Sequence, residues 1–249
     1  MGKMKLIVES YLKAPKIIRE LKLSWGYFVG GAVGLAILIF FYWVSRYIGD
    51  WIFDKIDAIF DVQKYVGLFR WLIIFIVRTI MIAIEYFFFK TILLGILAPF
   101  FSYISEKVEN YQDGTVYQFT LKENIGFILR GIKIASKSFA KEMIYTVIVI
   151  LLGFIPVVNL IVPGLIFIIQ SYFISYNFVD YTLERHKFSA KESADFMREN
   201  RVAFTFGGAI FTLIYFIPLM GIIVAPIITI VAFTTTTLKI LKLKNVIKG

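Results

Sequence analysis

From Trp25 to Val44 the chain runs for 20 residues without a charged side chain. At 1.5 Å per residue, a helix over this run rises about 30 Å, which matches the hydrocarbon core of a bilayer. A soluble helix needs only one apolar face, so a run that is apolar all round calls for lipid. Trp25, Tyr27, Tyr42 and Trp43 stand near its ends, where amphipathic aromatics settle at the membrane–water boundary. Gly26, Gly30, Gly31 and Gly34 include two pairs at four-residue spacing. Such pairs either permit close helix approach or simply reflect the abundance of glycine in membrane helices.

The rest of the chain agrees. Hydrophobic residues make up 59% of it and charged residues 18%, against under half and about a quarter in soluble domains. A single soluble core of this length could not hide so much apolar surface. The net charge of +10 comes largely from Lys and Arg flanking apolar segments, which points to anionic lipid headgroups and not to nucleic acid. There are no cysteines, so disulfides and thiolate metal sites are excluded. The first 23 residues lack the apolar core of a signal peptide, and the N-terminus is expected to be retained.

A second apolar stretch, Val66 to Phe101, contains Arg70, Arg78, Glu85 and Lys90 and is too long for one straight span. It is expected to form a second spanning helix that extends beyond the bilayer, giving a pair over residues 25–104. Arg78 and Glu85 lie seven residues apart on one helical face. They are either pore or network charges, or a structural pair with its side chains reaching toward water.

An internal repeat shapes the second half. Phe154-Ile155-Pro156 through Pro163 recurs as Phe216-Ile217-Pro218 through Pro226, each copy inside an apolar stretch, 143–178 and 203–238. Proline removes a donor and clashes with the preceding turn, so Pro156, Pro163, Pro218 and Pro226 are expected to mark hairpin turns. Arms of about 13 residues rise about 20 Å, short of the core's thickness. Two re-entrant hairpins follow, each dipping into the membrane and returning.

Between these stretches, Thr120 and Glu123 have capping-box spacing. Over 120–141 an apolar stripe (Leu121, Ile125, Ile128, Leu129, Ile132, Phe139) faces away from Arg130, Lys133, Lys137 and Lys141, the pattern of an interfacial helix. Residues 1–22 carry a weaker version. The loop from Arg46 to Gln63 holds Asp50, Asp54, Asp57 and Asp61, while the N-terminal segment and the tail beyond Thr237 are basic. The excess of Lys and Arg on cytoplasmic segments places both termini inside. In the polar connection from Tyr181 to Arg201, Ser189 and Glu192 have capping-box spacing, and His186 reads as a solvated loop residue. No phosphate loop, nucleophile elbow or metal-ligand cluster is present. No cofactor is expected, and conduction, binding or scaffolding is favoured over catalysis.

Leu97-Ala98-Pro99-Phe100-Phe101 followed by Ser105-Glu106-Lys107-Val108-Glu109 resembles a segment of the CysZ family. So do Phe154-Ile155-Pro156, Phe178-Val179-Asp180-Tyr181, His186-Lys187 with Arg198, Phe206-Gly207, Ile217-Pro218 and Ala225-Pro226, in that order. The same domain family includes the eukaryotic etoposide-induced protein 2.4. The resemblance implies one all-helical integral membrane domain over 1–249, with two long spanning helices, hemi-penetrating hairpins and interfacial helices, assembled as homo-oligomers. It also implies sulfate uptake across the bacterial inner membrane for cysteine synthesis. The family's Gly-Leu-Arg-like anion turn corresponds best to Glu20-Leu21-Lys22, which lacks the glycine and replaces Arg with Lys. Leu21, Lys22, Arg198 and Arg201 are thus the anion-site candidates, and Glu106, with Arg78 and Glu85, a pore candidate. The competing expectation is a non-transporting scaffold that binds lipids or partners.

Overall fold

A computed structural model describes residues 2–60, 71–72, 75–76, 79, 88–89, 91–114, 121–217 and 220–244. Arg78, Glu85, Pro218 and Thr120 lie outside the described residues. Among the described residues every regular element is a helix. Two compact units form, one from residues 1–31 with 97–249, the other from residues 32–96.

The first helix, α1 (Lys3–Glu20), buries Leu6, Ile7, Ser10, Tyr11, Ala14, Ile17 and Ile18 along one face. It closes in a Schellman turn: the Leu23 amide donates to the Ile18 carbonyl at 2.9 Å and the Lys22 amide to Arg19 at 3.1 Å. Lys22 takes the left-handed position of that turn, φ 54°, where glycine is the usual occupant. Helix α2 (Trp25–Phe60) has 36 residues, about 54 Å, and outruns the hydrocarbon core. Residues 46–60, expected as a loop, continue it; the segment has no proline, and its acids recur at helical spacing. In the unit of residues 32–96, Phe41 and Phe89 meet with ring centres 6.4 Å apart. Leu35, Phe40, Trp43 and Trp51 are exposed there, a surface suited to acyl chains.

The stretch expected as one helix over Val66 to Phe101 breaks at Leu97. Pro99 sits in the first turn of α3 (Ala98–Asp113), and its missing N–H stops continuation from the preceding helical residues. Helix α4 (Leu121–Leu152) joins the expected interfacial helix and the first hairpin arm without interruption. Ile134, Ser138, Glu142, Thr146 and Val149 make its buried stripe. After a turn at Gly153 come the short α5 (Pro156–Asn159) and α6 (Val162–Arg185), with Pro156 and Pro163 each in a first helical turn, where a missing donor costs little. The capping box at Ser189 and Glu192 opens α7 (Ala190–Glu199): the Glu192 amide donates to Ser189 Oγ at 3.2 Å and the Ser189 amide to Glu192 Oε2 at 2.6 Å.

Helices α8 (Arg201–Tyr215) and α9 (Met220–Leu243) form the second hairpin. Pro226 does not mark its turn; it lies buried inside α9. Its ring removes the donor that the Ile222 carbonyl would take, and the Ile222 and Ile223 carbonyls lie against Gly30 of α2, where an added Cβ would sit 3.7 Å from each. The arm lengths also differ from expectation. Helix α8 has 15 residues, whereas α6 and α9 have 24 each. Among the described residues, three helices are long and apolar enough to cross a membrane: α2, α6 and α9.

The core of the larger unit is aromatic, with Phe101, Phe178, Phe204, Phe211 and Phe233 almost wholly buried. Helices α6 and α8 approach so closely that a Cβ on Gly208 would lie 2.0 Å from the Ser171 carbonyl oxygen. Gly208→Ala therefore forces the two backbones apart and is expected to cost about 3 kcal/mol. Gly131→Ala, in α4 with open space at its Cβ, should gain up to about 1 kcal/mol through helix propensity. Thermal melts of the two variants in detergent should move in opposite directions.

Candidate functional site

Helix α3 turns Phe101, Ser105 and Glu109 inward at four-residue spacing. This carries a carboxylate into the protein against the C-terminal end of α6. Glu109 and Arg185 have side chains 0% and 2% exposed, and Arg185 Nε lies 2.8 Å from Glu109 Oε2. The other carboxylate oxygen, Oε1, is 2.6 Å from His186 Nε2. Arg185 also donates to Ser105 Oγ and to the Ser102 carbonyl. Ser105 in turn shares hydrogen bonds with Thr234 of α9 at 2.7 Å and Thr182 of α6 at 3.4 Å. Burial raises the Glu109 carboxyl, but the hydrogen bond from His186 and the charge and hydrogen bond of Arg185 outweigh it. The group is held below the ordinary carboxylate value of 4.5.

A second ionic cluster lies along the same helix. Arg130 of α4 contacts Asp180 Oδ1 at 3.2 Å and Ser193 Oγ of α7 at 3.1 Å. Glu184, one turn beyond Asp180, is buried with Oε1 lacking a hydrogen-bond partner. Asp180, Glu184 and Arg185 thus concentrate the charge of α6 in its last six residues.

The sequence-derived candidates are divided. Arg198 and Arg201 come together with Lys3 and Asn200 around a cleft of about 700 Å³. Arg198 is exposed and paired with Asp195 at 2.6 Å. Arg201 is exposed and has no carboxylate partner among the described residues. Lys3 Nζ donates to Asn200 Oδ1 at 2.7 Å. Lys22 and Leu21 lie at the other end of α1, about 27 Å away along the helix, and do not join this cleft. Glu106 is half-buried without an ionic partner among the described residues. His186, expected in solvent, is instead a ligand of Glu109. It caps α6, and the following Schellman turn, with Lys187 at φ 61°, folds its ring inward. Arg130, expected on an exposed basic face, turns to Asp180, while Lys133, Lys137 and Lys141 remain exposed. Sequence reasoning missed Glu109, Arg185, Arg130 and Asp180. The four-residue spacing of Phe101, Ser105 and Glu109 was the available signal.

The profile of the family described as Sulfate transporter CysZ/Etoposide-induced protein 2.4 matches residues 10–226. The chain belongs to this family. Its matched range includes the charged residues of both ionic clusters, the arginine cleft except Gly2, Lys3 and Met4, and the Lys22 turn, and it ends at Pro226 inside α9. Curated members similar to the chain include a protein named Sulfate transporter CysZ from Pseudomonas fluorescens strain Pf0-1, 28% identical over 59% of this chain and 60% of the relative. The protein of that name from P. fluorescens strain Pf-5 is 31% identical over 56% and 57%. That from P. paraeruginosa strain PA7 is 24% identical over 78% and 75%. The chain thus matches less than two thirds of the length of the two P. fluorescens CysZ proteins.

Removing one partner of a buried pair leaves a stranded charge and costs about 3–5 kcal/mol. Glu109→Leu and Arg185→Met are each expected to fall in that range, while the double substitution recovers most of the loss. The lowered Glu109 value also sets a sign: its stabilisation is complete above pH 4.5 and disappears as pH falls through the lower folded value. Below about pH 4, melts of the unsubstituted protein should drop more steeply than those of the double variant.

Proposed function

We propose that the chain is a permease or channel that admits sulfate, or a similar small oxyanion, across the bacterial inner membrane. Family membership supplies the context, since the curated relatives are named for sulfate transport. The observation that carries the reading is the cleft where Arg201, without a carboxylate partner among the described residues, meets Lys3 and Arg198. Arginine presents planar paired donors to a tetrahedral anion, and an unpaired one is available to do so. Lys22, although separate from that cleft, is exposed and remains a second candidate contact. Sulfur assimilation is the role that follows for such uptake.

The membrane arrangement is part of the same proposal. The apolar part of α6, Val162 to Phe178, rises about 25 Å before the charges at Asp180 and beyond. At the turn, Phe154, Val157 and Leu160 are 81%, 78% and 84% exposed, so the tip suits lipid. Both hairpins then enter from the cytoplasmic face, with the termini on that side and several copies assembled around the path.

Sulfate uptake by liposomes containing the pure protein should exceed that of empty liposomes. Arg201→Gln should slow it by about tenfold, the effect of losing a charged hydrogen bond. Uptake equal to empty liposomes sinks the transport reading, and full uptake by the variant moves the site elsewhere. The absence of native cysteine makes a clean topology test available. Val157→Cys in sealed vesicles should resist a membrane-impermeant maleimide from both faces and react only in detergent; labelling from the outer face would show a hairpin that crosses.

A further inference from the structure

A second basic cleft, of about 690 Å³, opens where α1, the C-terminal end of α3 and the last turns of α9 meet. Lys13, Lys16, Lys239 and Lys242 line it, with Tyr111 and Gln112. Glu20 is the one carboxylate in its lining among the described residues. That carboxylate is already engaged, accepting from Tyr111 Oη at 2.6 Å and lying 3.7 Å from Lys16 Nζ. Lys242 is held by Asp113 at 2.6 Å. Lys13 and Lys239 have no carboxylate partner among the described residues. Gln112 donates its amide to buried Thr235 at 2.6 Å, which fixes the floor of the cleft. Two like charges brought into one concave space without counter-charge among the described residues favour an oxyanion there.

We propose that this cleft holds the phosphate of an anionic phospholipid headgroup. A free phosphate shares the recognising chemistry, but the rim favours lipid. Leu12, next to Lys13, is 76% exposed, and Leu243, next to Lys242, is 72% exposed. Met4 and Val8 extend the exposed apolar ridge of α1 at four-residue spacing. Along α3 the exposed Tyr103, Lys107 and Tyr111 recur at the same spacing, with Lys107 over the Tyr103 ring at 5.7 Å from its centre. Basic groups beside exposed aliphatic and tyrosine side chains are the pattern of a membrane interface, where lysine stems lie along acyl chains and ammonium groups reach the headgroups. The proposal needs only residence in the bilayer and stands apart from sulfate transport, because none of these lysines lies in the arginine cleft.

The test uses the full chain, delipidated and exposed to phosphatidylglycerol or phosphatidylcholine, with bound lipid counted by native mass spectrometry. Phosphatidylglycerol should be retained over phosphatidylcholine. A near-surface lysine contributes about fivefold to binding of an acidic lipid, so Lys13→Gln with Lys239→Gln should weaken retention about twenty-five-fold. Lys187→Gln with Lys191→Gln, exposed lysines outside the cleft, should leave it unchanged. Inorganic phosphate at a concentration equal to the lipid should not displace it. Undiminished retention by the first pair, or equal loss in the second, overturns the assignment. Displacement by inorganic phosphate also overturns it, making the cleft a site for free oxyanions.

Discussion

The ion pair between Glu109 and Arg185 is the constraint around which the larger unit is arranged. Both side chains are withdrawn from water, and an isolated charge in such surroundings costs far more than any single apolar contact returns. The two helices must therefore meet at this register. Ser105, one turn before Glu109, receives the same guanidinium and passes contact on to Thr182 and Thr234. Residues 105, 109, 182, 185 and 234 thus lock α3, α6 and α9 together from distant parts of the sequence. A buried pair adds little net stability over a well-packed apolar alternative. Its contribution is to forbid other registers, while the Phe101–Phe178 contact, ring centres 5.5 Å apart, supplies apolar burial beside it.

Features governed by local chemistry were legible in the sequence. The charge-free run at Trp25, the capping box at Ser189 and the break in the helix around Pro156 and Pro163 all follow from rules acting within a few residues. The ionic core was not legible, for a geometric reason. Glu106 and Glu109 lie only about 60° apart around α3, and the spacing from Phe101 and Ser105 that marks Glu109 as inward competes with the rule that a carboxylate belongs in water. The position of α6 decides between them. His186 was misassigned for the same reason: as a lone histidine in a polar connection it looked solvated, yet the turn at Lys187 returns it to the core. Similarly, Arg130 shares its sequence pattern with Lys133 and Lys137, and only Asp180 on another helix separates it from them.

Proline shows how far a local rule extends. Pro156 and Pro163 fall where helices begin, and each repeat was expected to end in the same way. Pro226 obeys the same chemistry and has a different outcome: it lies inside α9, where the helix continues past it. The repeat is real in sequence but unequal in structure. Its second copy keeps 24 residues of α9 as one helix, most of it buried, so apolar length there reflects packing within the protein as well as contact with lipid.

The division between paired and unpaired cations separates support from recognition. Arg185 and Arg130 are inside and committed to Glu109 and Asp180. An anion reaching either one would have to displace a carboxylate already held at hydrogen-bonding distance, with no compensating partner for the carboxylate it released. Arg201, Lys13 and Lys239 lie toward the surface without carboxylate partners among the described residues, and an anion binding there displaces only water and counterions. On electrostatic grounds, then, the buried network fixes the register of the unit, and the proposed anion contacts fall in the rim clefts. Because Arg201 and the lysine pair occupy separate clefts, the proposed solute and headgroup sites share no charge.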